Sequence, residues 1–303
     1  MNITLPRLTL RWRAPARVAA AAAVVAGLGA CSALEDAYYW LDDKESPSAQ
    51  AEREAKERES GADRLFGEAE AQFAKKNFKT AATKYDEVER LYPTSVLAKR
   101  AILRSAESSY RGAEYDKAVA SAGRYINFYP SDEKAPYAQY LIAVSHYDQI
   151  TDVGRDQKRT ELAAQSLREL ISRYPASEYS RDAKLKLDLT VDHLAGKEMT
   201  VGRYYLRRGD YIAAINRFRT VVERYQQTSH TAEALHRLVE SYLSLGVVQE
   251  AQTAAAVLGH NFPGSQWYQD SYRLLTDADL EPNEDSASWI SRAWRSVTGA
   301  EIF

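Results

Sequence analysis

The chain has 303 residues, and its 40 basic side chains nearly balance its 42 acidic ones, which gives a formal charge of -2. This balance argues against nucleic acid as a partner, because binding to phosphates needs an excess of positive charge on one face. The single cysteine excludes an intrachain disulfide and the multi-cysteine zinc motifs, and the low content of Gly and Pro favours a helical chain over a turn-rich β architecture.

Residues 1–30 have the pattern of a secretory signal peptide. Four arginines between Arg7 and Arg17, and no acidic residue, precede the apolar run Val18–Ala30. At 13 residues the run is too short to cross the hydrocarbon core of a membrane, which needs about 20. It ends in Leu-Gly-Ala-Cys31, which resembles the lipobox of bacterial lipoproteins. The resemblance implies that the signal peptide is removed and that Cys31 becomes a lipidated N-terminus; a buried, idle thiol is the alternative.

Residues 31–61 are expected to form a lipidated tether. The charge-rich run Glu52–Glu59 is typical of a solvated segment with at most a short helix. Loss of the signal peptide removes four basic side chains and leaves the mature chain at -6. Ser32 follows the cysteine where other lipoproteins carry Asp, and by resemblance to lipoprotein sorting this implies an anchor in the outer membrane, on its periplasmic face. The folded body is expected to begin at Ala62.

A repeated pattern follows the tether. In each occurrence an alanine is followed 11 residues later by an aromatic residue, and in four of five occurrences proline comes next. The five pairs are Ala81 with Tyr92, Ala118 with Tyr129, Ala163 with Tyr174, Ala214 with Tyr225, and Ala251 with Phe262. Apolar or small residues four and seven positions after each alanine complete one stripe along a three-turn helix. The proline is expected to end that helix, because it lacks an N–H donor and clashes with the preceding turn.

The pattern resembles the tetratricopeptide repeat, a helix-turn-helix unit that stacks into a solenoid. The resemblance implies an all-α fold of five units with a C-terminal extension. We expect repeats 1–2 over residues 62–134, repeat 3 over 135–177, repeats 4–5 over 178–263 and the extension over 264–303. Small residues in the first helices, such as Ala69, Ala106 and Gly202, are expected to allow close helix approach, and a prolonged helix is expected from Ser180 to Lys197.

Catalytic and cofactor motifs are missing from the sequence. It contains no His-Glu-x-x-His, no Gly-x-Ser-x-Gly and no phosphate-binding glycine loop, so neither a metal, nor another cofactor, nor a catalytic residue is predicted. What remains is surface, and the first helices of units 1 and 2 are expected to line a groove for an extended peptide. The predicted groove residues are Phe66, Phe73, Arg100, Tyr110 and Arg111. For the two phenylalanines, a place in the core is an equal alternative.

The fourth unit carries a more specific resemblance. The run Tyr204-Tyr205-x-x-Arg208-Gly, followed by Asn-Arg217, together with the lipobox and five repeats, resembles the BamD family, the lipoprotein subunits of the outer-membrane β-barrel assembly machinery. The resemblance implies that repeats 4 and 5 dock on the barrel subunit through these tyrosines and arginines. It also implies that repeats 1 and 2 receive unfolded outer-membrane β-barrel clients, and that accessory lipoproteins are further partners. Solvated arginines without a partner are the alternative.

The extension after the fifth repeat is expected to contain a capping helix, Gln266–Leu275, an acidic solvated linker and a short amphipathic helix. Ile290, Trp294 and Val297 fall on one face of that last helix. It can cap the solenoid, bind a partner or rest on the membrane, and the low number of cations favours a partner or the solenoid's own groove.

The sequence as a whole predicts a non-enzymatic, lipid-anchored scaffold. Two alternatives stay open at this point. A periplasmic repeat scaffold that coordinates cell-wall synthesis with envelope constriction usually carries a coiled coil and no lipobox, which is the reverse of this chain. A peptidoglycan-processing enzyme would need a catalytic acid or nucleophile that no motif supplies.

Overall fold

The computed structural model describes residues 46–150 and 157–298. Within these ranges the chain forms twelve α-helices and no strand. The signal peptide, Cys31, the first part of the tether, residues 151–156 of the third unit and residues 299–303 lie outside the described residues. Lipidation at Cys31 therefore stays a prediction.

Ten of the helices pair into five hairpins, each with a first and a second helix. The pairs are α1 (Pro47–Ala74) with α2 (Phe78–Leu91), α3 (Val96–Arg111) with α4 (Tyr115–Phe128), α5 (Ala135–Tyr147) with α6 (Lys158–Arg173), α7 (Glu178–Arg207) with α8 (Tyr211–Arg224), and α9 (Thr231–Ser244) with α10 (Val248–Asn261). The helices of a pair pack together, and each second helix packs on the first helix of the next unit. The prediction of an all-α tetratricopeptide-repeat solenoid is confirmed.

The stripe predicted from the repeat forms the core of every unit. The five alanines are fully buried, and the residues four and seven positions later are at most 1% exposed. These later residues are Tyr85, Val88, Ala122, Tyr125, Leu167, Leu170, Phe218, Val221, Ala255 and Leu258. Removal of this apolar surface from water is the main source of stability, since each large side chain contributes about 1.5–3 kcal/mol when fully buried.

Each second helix ends at the aromatic residue of the pattern. All five aromatic residues are helix C-caps with φ between -129° and -132°, and each backbone N–H donates to the carbonyl oxygen four residues earlier. In four units the following proline disfavours helical geometry in the residue before it. Tyr225 adopts the same φ in front of Gln226, so the fourth helix ends in the same way without proline.

Helix α7 is long enough to belong to two units. Ala183, near its start, shares a buried cluster with Leu167 of unit 3, whereas Met199, near its end, lies in the core of units 4 and 5. The predicted prolonged helix is thus part of one continuous 30-residue helix. At Gly202 a Cβ atom would lie 2.5 Å from the ring of Phe218, so a close approach of α7 and α8 requires glycine there.

The charge-rich run of the tether is helical. Ser46 caps α1 by accepting a hydrogen bond from the N–H of Ala49 at 3.2 Å, and the helix then continues without a break to Ala74. Side chains in its first part are mostly exposed, and Ala62 is the first buried residue of the helix. The tether expected before residue 62 therefore includes the first turns of α1.

The extension after the fifth unit folds back on the solenoid. Helix α11 (Gln266–Thr276) packs on α9 and α10, and helix α12 (Trp289–Thr298) packs on α8 and α10. We call the layer of first helices the first-helix face and the layer of second helices the second-helix face. The sequence favoured a partner or the groove of the first helices for α12. The structure corrects this expectation, because Ile290 is fully buried against the second-helix face.

Candidate polypeptide-binding groove and docking end

A continuous depression crosses the first-helix face from unit 1 to the start of unit 4. Two adjoining cavities form it, and both are lined by Leu103, Arg104, Glu133 and Lys134. We call this depression the first-helix groove. Its further lining residues are Glu70, Lys99, Arg100, Tyr125 and Asp132 on one side, and Glu107, Tyr137, Glu178 and Tyr179 on the other. The groove thus combines aromatic rings with both signs of charge, where the sequence predicted aromatic and cationic groups alone.

Arg104 is the centre of the groove floor. Its guanidinium donates two hydrogen bonds to the carboxylate of Glu70, at 2.9 and 2.7 Å, and one to Glu107 at 2.7 Å. Burial would raise the pKa of the Glu70 carboxyl, but the hydrogen bonds and charge of Arg104, together with Tyr85 and the charge of Arg100, outweigh it and lower that pKa. The guanidinium also lies 4.0 Å from the ring centre of Phe73. Because these contacts hold the guanidinium in place, Arg104 gives the first-helix groove a fixed floor.

The two predicted phenylalanines occupy different positions. Phe66 is only 7% exposed and packs edge-on against Tyr85, with ring centres 5.3 Å apart. Its side chain is part of the core and supports Arg100, whose guanidinium lies 5.0 Å from the ring centre. Phe73 is partly buried at the edge of the same cluster. The question left open by the sequence is therefore decided for Phe66, which supports the groove from below.

The other three predicted groove residues lie on α3 and reach the surface to different degrees. Arg100 and Arg111 are exposed, and Arg111 pairs with Glu107 at 2.9 Å. Tyr110 is half-buried, and its hydroxyl donates to Asp148 at 2.7 Å. Burial and the Asp148 carboxylate both raise the pKa of Tyr110, so the phenol stays protonated and links α3 to the end of α5. Of the three, Arg100 lines the first-helix groove directly.

A cluster of tyrosines in units 3 and 4 was missed by the sequence analysis. The rings of Tyr140 and Tyr179 stack with centres 5.1 Å apart, and Tyr137 lies 5.3 Å from Tyr179. Burial, together with the charge of Glu107, raises the pKa of Tyr137 to about 12. Tyr137 and Tyr140 are three residues apart on one helix face, which is a detectable signal. The contact with Tyr179 depends on how two units stack.

An anchored carboxylate lies at the unit 2 end of the groove. Asp132 accepts a hydrogen bond from the Tyr125 hydroxyl at 2.5 Å and from the Lys134 N–H at 2.9 Å, and it pairs with Lys99. Burial would raise the pKa of Asp132, but the Lys99 and Tyr125 contacts lower it to about 2. The side chain is therefore a fixed negative charge beside the cations of the groove.

The predicted docking arginines of unit 4 lie on different elements. Arg208 caps α7, its side chain is 60% exposed, and it donates to the Tyr204 hydroxyl at 3.0 Å and pairs with Asp210 at 3.4 Å. Arg217 lies on α8, its side chain is 46% exposed, and it contacts Glu198 at 3.2 Å. These exposed pairs contribute little to stability. Both guanidinium groups are accessible to a partner.

The two tyrosines of the motif differ in exposure. Tyr204 is 48% exposed beside Arg208, whereas Tyr205 is half-buried and packs against the core of units 4 and 5. Exposed apolar side chains also lie at the nearby hairpin turns, beside the polar residues Asp210 and Asn216. Ile212, 69% exposed, and Leu245, 41% exposed, line one depression at the hairpin turns of units 4 and 5. We call these two residues the hairpin-turn patch; sequence reasoning did not single it out.

The turns that carry this patch are built on glycine. Gly209 and Gly246 occupy equivalent positions two residues before α8 and α10, with φ of +76° and +73°. Units 1 and 2 place Lys76 and Ala113 there, also at positive φ. Because left-handed geometry costs a side-chain-bearing residue about 1–2 kcal/mol, glycine gives the turns of units 4 and 5 the lower strain.

Metal-binding clusters and membrane-spanning helices are absent from the part of the chain that the structure describes. No group of three or more His, Cys, Asp or Glu residues in residues 46–150 and 157–298 is arranged to hold a metal ion. Over the same ranges, none of the helices combines the length and the apolar character that a membrane crossing requires.

Comparisons with known proteins give consistent matches. The family model described as outer membrane lipoprotein (YfiO) matches residues 58–258. Three relatives named outer membrane protein assembly factor BamD match most of the chain. That of Caulobacter vibrioides is 48% identical, over 74% of this chain and 70% of its own length. Those of Rickettsia prowazekii and Neisseria meningitidis serogroup A are 43% and 33% identical, each over 70% of this chain and over 84% and 83% of their own lengths.

Proposed function

The chain belongs to the outer membrane lipoprotein family of BamD assembly factors, and from this membership we propose that it is a lipid-anchored scaffold that brings clients to the barrel subunit. The family acts in outer-membrane protein assembly, which does not favour the cell-wall scaffold considered from the sequence. In our proposal Cys31 carries the acyl chains and holds the solenoid at the periplasmic face of the outer membrane. Each buried methylene of such chains contributes about 0.8 kcal/mol, so several chains suffice without a spanning helix.

The observation that carries the proposal is the first-helix groove. It offers exposed cations, Arg100 and Lys134, beside the rings of Tyr137 and Tyr179, on a floor fixed by Arg104. Extended chains with aromatic side chains and a carboxylate find stacking partners and charge-assisted hydrogen-bond donors there. We propose that unfolded outer-membrane β-barrel clients bind in this groove.

Units 4 and 5 supply the proposed docking end for the barrel subunit. Arg208 and Arg217 present exposed guanidinium groups, and the hairpin-turn patch adds exposed apolar surface in a depression that Asp210, the partner of Arg208, also lines. Arginine beside an aromatic or aliphatic anchor is the composition typical of energetically important interface residues. Accessory lipoproteins of the assembly machinery are further proposed partners.

The proposed mechanism needs no catalysis. A scaffold that holds a client and the barrel subunit on one rigid body raises their effective concentration, and assembly then proceeds on the stability gained by the inserted barrel. A peptidoglycan-processing activity is the enzymatic alternative. Purified protein is expected to leave no cleared band in a peptidoglycan zymogram, and a cleared band would contradict the scaffold mechanism.

Affinity purification from detergent-solubilised membranes tests the docking end. The wild-type chain is expected to recover the barrel subunit, and Arg217→Glu to recover about tenfold less, because truncating or reversing an interface arginine commonly costs about 1–2 kcal/mol or more. Arg168→Glu is the matched control, since Arg168 is likewise an exposed arginine on a second helix but lies in unit 3. Equal recovery by both variants would contradict the assignment, provided their circular dichroism melts match the wild type.

A further inference from the structure

The segment after α11 is bound to the solenoid like a separate ligand. We call residues 277–298 the strap; they lie beyond the matched family region, residues 58–258. The first part of the strap, residues 277–285, contains no helix and no strand and is held through its main chain. The N–H of Asn283 donates to the Gln252 carbonyl at 3.3 Å, the Gln252 side chain donates to the Glu281 carbonyl at 2.8 Å, and the N–H of Asp285 donates to Thr253 Oγ1 at 3.1 Å. The sequence predicts a solvated linker here; most side chains of residues 277–285 are exposed, and the structure adds that the main chain is bound to α10.

The second part of the strap, α12, is held by three side chains. Ile290 is fully buried, Trp289 donates its indole N–H to the Tyr242 hydroxyl at 3.0 Å, and Trp294 packs edge-on against Phe262 with ring centres 5.9 Å apart. These side chains point α12 into the second-helix face. An isolated helix of ten residues is not stable in water, so the helix depends on these contacts.

Polar groups fix the position and direction of α12. The Ser288 hydroxyl donates to Glu250 at 2.7 Å and accepts from the N–H of Ile290 at 3.1 Å, which caps the start of the helix. Gln226 donates to the Ala293 carbonyl at 3.0 Å, and the Arg219 guanidinium lies 4.6 Å from the ring centre of Trp289. The receiving residues come from units 4 and 5, so the strap bridges two units.

We propose that the second-helix face of units 4 and 5 is a helix-binding site, which this chain fills with its own strap. The geometry combines main-chain hydrogen bonds to a non-helical stretch with a helix seated by apolar anchors, and the second of these is a common mode of peptide recognition. The segment that fits is a non-helical stretch followed by a short helix with the anchors of Trp289, Ile290 and Trp294. Counted from the first anchor, these are an aromatic residue, an aliphatic residue at the second position and an aromatic residue at the sixth. The proposal does not depend on the proposed function.

The strap is part of the same chain as its binding site, which explains how so short a segment can stay bound there. The strap follows α11 through the exposed turn around Ala278 and Asp279, so its effective concentration at the site is about millimolar. A competing segment on another chain must exceed this advantage. Cutting the turn removes the advantage without touching a residue of the site.

The test uses the full chain with a protease recognition sequence inserted between Ala278 and Asp279. After cleavage of the folded protein, the strap is expected to co-elute with the body in gel filtration and to exchange with an excess of a fluorescent synthetic peptide covering residues 280–298. The uncleaved chain is expected to take up at least about tenfold less of the peptide, because its own strap competes in cis. A peptide with Ile290→Asp is the matched control and is expected not to bind.

Two outcomes would overturn the proposal. One is uptake of the Ile290→Asp peptide to the same extent as the native peptide. The other is a failure of the cleaved body to take up the native peptide although circular dichroism shows that it is still helical. This result counts against the proposal both when the strap has dissociated and when it stays bound without exchange. Tyr242→Phe provides a second check that keeps the volume of the site, and it is expected to lower peptide affinity several-fold through loss of the indole's acceptor.

Discussion

Replacement of Arg104 by methionine tests the structure of the groove floor. Methionine preserves most of the apolar stem but removes the guanidinium, which leaves Glu70 and Glu107 without their shared cation. Removal of one partner from a fully buried ion pair costs about 3–5 kcal/mol, because the remaining charge stays desolvated. Glu107 is close to full burial, since its side chain is only 11% exposed, although it retains Arg111 as a partner.

The expected loss in the free energy of unfolding follows from the exposure of each carboxylate. Glu70 is 39% exposed, so solvent screening reduces the cost of its lost pair to about 0–1 kcal/mol. Loss of the contact between the guanidinium and the Phe73 ring adds about 0.5–1 kcal/mol. With Glu107 partly compensated, we expect Arg104→Met to lower the free energy of unfolding by about 3 kcal/mol, or about 6–12 °C in the thermal midpoint.

The assay is circular dichroism melting of a matched series at several pH values. Arg100→Met is the control, because Arg100 is exposed and its change is expected to stay within about 0.5 kcal/mol. A companion change, Glu107→Gln, is expected to restore part of the loss by removing a buried charge that keeps only Arg111 as a partner. The lowered pKa of Glu70 means that its pairing stabilises the fold above the ordinary value of 4.5 and is lost as pH falls through the folded value. The difference in thermal midpoint between the wild type and Arg104→Met should therefore become smaller below about pH 4.5.

Equal melting temperatures for Arg104→Met, Arg100→Met and the wild type would refute this account of the groove floor. A further loss of stability on adding Glu107→Gln to Arg104→Met would refute it as well, since the Glu107 carboxylate would then be stabilising with Arg111 alone.

Three further predictions test the core, the turns and the anchor. Phe218→Ala removes a fully buried ring and is expected to cost about 3–5 kcal/mol in chemical denaturation, and a loss below about 1 kcal/mol would contradict the packing of α7 on α8. Gly209→Ala is expected to cost about 1 kcal/mol at its positive φ, whereas Gly67→Ala, on α1 with open space around it, is expected to be neutral or stabilising. Cys31→Ser is expected to shift the protein from the membrane pellet to the soluble periplasmic fraction, because its acyl chains supply the membrane affinity; retention in the pellet would contradict lipidation.

The hairpins were predictable from the sequence because their signal is local. Spacing within one helix decides which side chains face inward, so the periodicity alone places Ala214 and Phe218 in the core. The helix ends followed from the aromatic-proline pairs, and the case of Tyr225 shows that the aromatic position carries the ending even without proline. The sequence also predicted α11 with the correct first residue and an end that differs by one residue.

The composition of the groove and the position of α12 were not predictable in this way. Phe66 belongs to the same helix stripe whether a ligand or a neighbouring helix covers it, so periodicity alone leaves both alternatives open. The contact of Tyr137 with Tyr179 depends on the stacking of units 3 and 4, which no spacing within one helix predicts. The apolar face of α12 was visible, but its receiving surface on α8 and α10 is assembled from residues of two units.

Site-specific photo-crosslinking in cells that synthesise outer-membrane proteins tests the central claim most directly. A photoreactive residue at Tyr137, in the first-helix groove, is matched by one at Ala120, an exposed position on the second-helix face of unit 2. The account predicts that the probe at position 137 captures unfolded β-barrel clients and that the probe at position 120 does not. Capture of clients at both positions alike, or at position 120 alone, would contradict it.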